Sequence, residues 1–136
     1  MADLIRITGG AIVLTGAGPI YLQPLAQVLE VSAYDQLDVR FYLHTLTGGG
    51  SAKFDLLTGF DPKSEDDWEP LSALPYTLPG MGSPPIFTTA TLPEPVLATT
   101  TTAPKPLLRY IRWKVTLVTA TAATVQIVAM ARRKAL

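Results

Sequence analysis

The densest set of functional groups in this chain is the run Asp61-Pro62-Lys63-Ser64-Glu65-Asp66-Asp67-Trp68-Glu69, five carboxylates within nine residues. Clustered loop carboxylates are raw material for calcium, which takes roughly six to eight oxygen ligands. The EF-hand spacing is absent and Lys63 stands among the acids, so the run reads as a solvated loop around a packed Trp68. Glycoside hydrolysis needs two carboxyl groups facing each other across a sugar, and neighbours on one polar loop do not present that geometry. His44 is the single histidine and there is no cysteine, which leaves neither a zinc ligand set nor a Ser-His-Asp arrangement on a G-x-S-x-G turn. Gly9-Gly10 and Gly16-Ala17-Gly18 lack the Lys-Ser/Thr that completes a phosphate loop and read as turns. The expectation is therefore a chain that is not an enzyme, with no catalytic, cofactor-binding or metal-ligating residues.

Charge points to contacts rather than catalysis. Residues 1–94 hold all eleven acids and four bases, whereas 95–136 hold seven bases and no acid. Either the two halves pair within the fold, or the subunit carries one acidic and one basic edge suited to meeting other subunits. The candidate partner contacts are Arg109, Arg112, Arg132 and Arg133 on the basic side, and Asp66, Asp67 and Trp68 on the acidic side. Arg109, Tyr110, Arg112 and Trp113 interleave like a stacking platform for single strands. Trp113 shares a strand face with Ile111 and Val115, however, which makes it a core residue. Formal net charge is zero, so no nucleic acid is expected as a partner.

The elements that must position these groups are strands. In 37–46, Leu37, Val39, Phe41, Leu43 and Thr45 fall on one face, and Asp38, Arg40, Tyr42 and His44 on the other. Gly48-Gly49-Gly50 then turns the chain into a second alternating run with Ala52, Phe54 and Leu56 on its apolar face, and the two predict an antiparallel hairpin. A second hairpin is predicted from 107–118 and 124–132 around the Thr119-Ala-Thr-Ala-Ala turn. Its return strand sets Val125, Ile127 and Ala129 opposite Gln126, Val128 and Met130. Short strands are expected at 4–8, 11–15 and 26–32, and Pro24 limits any helix at 22–30 to one turn. Nine prolines between Pro70 and Pro106 exclude central strands and leave edge strands at 85–91 and 96–100.

With 136 residues, the chain is long enough for one domain, 1–136, with a Pro/Thr-rich loop region at about 75–106. About eight short strands and no substantial helix predict an all-β fold, an antiparallel β-sandwich of jelly-roll type. An immunoglobulin-like sandwich is the competitor, without its Cys…Trp…Cys spacing. Residues 115–131 are free of charge, but their threonines and β-branched ends suit strands better than a spanning helix, so no membrane is expected. No targeting segment is expected either. An apolar content this high, with 16% charged residues, suggests surface buried in an oligomer.

The segments 37–70 and 107–133 resemble small jelly-roll proteins of tailed-bacteriophage virions. The resemblance rests on the strand pair leading to a polar loop with Trp68, on Leu108-Arg109-Tyr110-Ile111-Arg112, and on a final strand ending in Arg132. It implies a capsid decoration (cement) protein of the virion, assembled in the host cytoplasm. Such a protein forms homotrimers and bridges neighbouring copies of the major capsid protein. Discoidin-like sugar-binding jelly rolls share this layout, so the alternative is a carbohydrate-binding or receptor-binding module of a tail or secreted assembly. Its site would draw on Phe60, Trp68, Tyr76, Asp66 and Asp67, in a chain that has no asparagine.

Overall fold

The alternating runs of the sequence become the central strands of two packed sheets. The structure, a computed structural model, describes residues 2–15, 19–79, 85–94 and 106–135. Eleven strands lie among them: β1 (Ala2–Arg6), β2 (Ile12–Thr15), β3 (Ile20–Leu22), β4 (Leu29–Glu30), β5 (Tyr34–Thr47), β6 (Ser51–Gly59), β7 (Glu69–Pro70), β8 (Tyr76–Pro79), β9 (Ile86–Leu92), β10 (Tyr110–Val118) and β11 (Ala122–Arg133). The first sheet runs β1-β11-β5-β9, with β2 also on β11; the second runs β3-β10-β6-β7, with β4 also on β10 and β8 also on β6. Every pairing is antiparallel. The fold is thus an all-β sandwich, as expected. Its only helical piece among the described residues is a 3-10 turn, Leu25–Gln27, directly after Pro24. The strand expected at 26–32 shrinks to β4, and the edge strand expected at 85–91 is β9, at the end of its sheet. The strand expected at 96–100 lies outside the described residues.

Both predicted hairpins are corrected. β5 pairs with β11 and β9, whereas β6 pairs with β10, β7 and β8, so the triglycine link carries the chain from one sheet to the other. The link between β10 and β11 does the same. Alternation specifies that each strand has one dry face, and in a sandwich two dry faces meet equally well across the core. The two links lie side by side, where the Thr121 amide donates to the Thr47 carbonyl at 2.9 Å. Gly50 sits at φ +80°, and a Cβ there would overlap the Val118 carbonyl oxygen, so this crossing needs glycine.

Between the sheets, Leu37, Val39, Phe41 and Leu43 of β5 meet Phe54 and Leu56 of β6, Ile111 and Val115 of β10, and Val125 and Ile127 of β11, all buried. The Phe41 and Phe54 rings, one from each sheet, have centroids 5.4 Å apart. Removing either ring would cost about 3–5 kcal/mol. Trp113 is buried, as its strand face predicted. Thr45 is not on the dry face. Between the pairs Leu43↔Val125 and Thr45↔Thr124, His44 is an extra residue, and this bulge reverses the phase of the strand. Thr45 therefore turns to solvent and Leu46 packs against the core.

Candidate functional site

Two hollows, one on the outer side of each sheet, each bring exposed polar and apolar groups together. The smaller, about 260 Å³, is lined by Phe60, Asp66, Asp67, Trp68, Glu69 and Leu108. Its loop is held by its own acids. One Asp67 oxygen accepts the amides of Phe60 and Asp61, each at 2.6 Å, and Asp61 accepts the Lys63 amide at 2.9 Å. The Trp68 indole donates to the Ser64 carbonyl at 2.7 Å, which seats the ring half-buried within the loop. The run thus forms a loop around a packed tryptophan, with the Asp61 and Asp67 carboxylates turned to its own amides and Glu65 turned to Arg112. Of the residues considered for a sugar, Phe60, Asp66, Asp67 and Trp68 come together here. Tyr76 does not; its ring stacks on Phe41 and its hydroxyl donates to Glu94. Burial first, and Glu94 second, push that hydroxyl up to about 12.

Arg112 lies beneath this loop, 4% exposed. It is on the outward phase of β10, but the loop and residues before β4 cover it. Its Nε donates to the Gln23 carbonyl at 2.6 Å and its Nη1 to Glu65 at 2.9 Å, while the guanidinium stands 5.9 Å from the Trp68 ring. Gln23, itself buried, completes the arrangement by accepting the Trp113 amide through its side chain at 3.1 Å. Arg112 therefore joins the loop to the second sheet.

The other three candidate arginines are paired within the fold. Arg109 meets Glu30 at 3.4 Å, Arg132 meets Asp35 at 3.0 Å, and Arg133 meets Asp3 at 2.9 Å. Each pair joins a base from 95–136 to an acid from 1–94, so for these residues the charge division is neutralised inside one chain. All three arginines remain more than half exposed at the side chain, so water screens each pair and each contributes little. The Tyr34 hydroxyl, and then Arg133, hold the Asp3 carboxyl below its ordinary value. On the second sheet, burial raises the Asp55 carboxyl against the pull of Lys114 and Lys53.

The larger hollow is a groove of about 550 Å³ on the outer face of the first sheet. Leu4, Met130, Asp38, Arg40, Tyr42 and Thr91 line it, brought together from β1, β11, β5 and β9. Leu4 is 53% exposed, Met130 44%, and the neighbouring Phe87 55%. Arg40 lies 4.8 Å from the Phe87 ring and donates to the Tyr42 hydroxyl at 3.3 Å; Thr91 donates to Asp38 at 3.0 Å. His44 stacks on Tyr42 and hydrogen-bonds Gln126 at 3.0 Å beside the bulge. The sequence marked Asp38, Arg40 and Tyr42 only as a wetter strand face. The missed signal was that Met130, Leu4 and Phe87 stand on outward phases of their strands.

Against family models, curated proteins and solved structures, the chain has no match.

Proposed function

We propose that this chain is a non-catalytic structural subunit, a virion decoration protein that associates with itself and bridges neighbouring subunits of a capsid shell. The observation that carries this reading is the outer face of the first sheet, where Leu4, Phe87 and Met130 stay exposed around a shallow groove. Large exposed apolar residues gathered on one face mark an interaction surface. The strand order supports the jelly-roll part of the reading, which the decoration and sugar-binding alternatives share. With β1–β2, β3–β4 and β7–β8 each taken as one interrupted strand, the sheets run first-eighth-third-sixth and second-seventh-fourth-fifth, the winding of a jelly roll. A clamp of this kind works by multivalency, since several weak contacts engaged together hold far more tightly than any one.

The test is binding to undecorated procapsids assembled from the cognate major capsid protein. Co-sedimentation at a fixed ratio, with a raised melting temperature of the shell, is the expected result. Protein that stays in the supernatant and leaves shell melting unchanged would overturn the reading.

A carbohydrate-binding module is the second reading, favoured by the hollow that sets Phe60 and Trp68 beside Asp66 and Asp67. A glycan array separates the two: saturable binding lost in Trp68→Ala supports the module.

A further inference from the structure

We infer that the outer face of the first sheet docks a second copy of this chain face to face, about a two-fold axis that lies in the interface and crosses the strands at Val39. This rests on the reading above that the chain associates with itself, and it replaces the trimer implied by the resemblance with a closed pair.

The inference comes from the strand register. Across the sheet, Leu4 pairs Met130, Met130 pairs Asp38, and Asp38 pairs Thr91, which makes one row of outward side chains. The next outward row is Arg6, Val128, Arg40 and Thr89. A two-fold axis running between these rows sets each row of one copy opposite the other row of its partner. Asp38 then faces Arg40 of the second copy, Met130 faces Val128, Thr91 faces Thr89, and Leu4 lies on the aliphatic stem of Arg6. Opposite charges meet, apolar residues meet, and hydroxyls meet, and the symmetry makes every contact occur twice. Neither Asp38 nor Arg40 is in an ion pair among the described residues, so both charges are available.

Area sets the strength. Four strands about 4.8 Å apart and roughly seven residues long at about 3.3 Å each present a flat footprint near 440 Å². Specific interfaces begin at about 600 Å² per partner, so with side-chain relief this face sits at the weak end. The pair should therefore form reversibly with concentration.

Light scattering on the intact chain tests this. The expected mass climbs from 14.6 kDa toward twice that value as concentration rises. Asp38→Arg alone sets arginine against arginine, and Arg40→Asp alone sets acid against acid. Each should weaken association at least about tenfold. Both substitutions are on exposed side chains, so circular dichroism should be unchanged. An equimolar mixture of the two variants restores opposite charges in both contacts and should recover the pair.

If the wild-type chain associates and neither variant weakens it, the face is not the interface, while self-association stands. A trimer mass, a mixture that fails to recover, or binding of a glycan by this groove in a monomer also overturns the inference. A mass fixed at 14.6 kDa across all concentrations removes both the inference and the self-association beneath it.

Discussion

Replacing Arg112 by methionine keeps an apolar stem in place and removes only the guanidinium. The Gln23 carbonyl then loses its charged donor in a buried setting, a loss of about 1.5–3 kcal/mol. Glu65 is 64% exposed and returns to water, so its half of the contact is worth at most about 1 kcal/mol. The Trp68 ring, 5.9 Å from the guanidinium, is at the limit of a useful cation–π contact and adds about 0.5 kcal/mol. Relief of the buried charge's desolvation acts in the opposite direction. The net expectation is a loss of about 2–3 kcal/mol, or roughly 6–12 °C in melting temperature for a chain of this length. Glu65→Gln should lose less than about 1 kcal/mol. Urea unfolding followed by fluorescence, with the slope compared between variants, reads both. Arg112→Met within about 0.5 kcal/mol of wild type would refute the argument. So would Glu65→Gln costing as much as Arg112→Met, since the exposed ion pair would then be the dominant contact.

Gly49 and Gly50 share a left-handed backbone, yet only Gly50 faces the Val118 carbonyl. Gly49→Ala should lose about 1 kcal/mol in urea unfolding, and Gly50→Ala about 3 kcal/mol or more, because backbone must move. Asp3 has a carboxyl held below its unfolded value of 3.8, so its contribution is present above that pH and disappears as pH falls through the lower folded value. Asp3→Asn should therefore differ more from wild type at pH 6 than at pH 2 in equilibrium unfolding. Asp55 has the opposite sign: its folded pKa is raised, so stability declines as pH rises from 3.8 through the folded value, and Asp55→Asn should abolish that decline. Tyr76 titrates at about 12 against 10 unfolded, so stability should fall between those values, and ultraviolet titration should show its late ionisation disappear in Tyr76→Phe.

Strand identity and strand facing were legible because alternation is local. Leu37 to Leu43 on one side of β5, Trp113 in the core, and the proline-limited β9 at an edge all follow from residues two apart or from a missing amide donor. The acidic loop around Trp68 was legible for the same reason, since its hydrogen bonds join residues within a few positions. Pairing was not legible. Whether β5 turns back beside β6 or crosses to face it depends on β11 and β9, and alternation satisfies both arrangements. His44 becomes an extra residue only through its register against Thr124 and Val125. Arg112 shows the limit most clearly. Its position on the strand pointed it at solvent, and only the tertiary structure laid Gln23 and the 61–69 loop over it. The groove on the first sheet was hidden likewise, because Leu4, Asp38, Thr91 and Met130 are scattered along the chain and become one surface through antiparallel register. The sequence by itself determined which side of each strand is dry. The tertiary structure decided which strands are neighbours, because that choice is made by contacts among residues far apart in the chain.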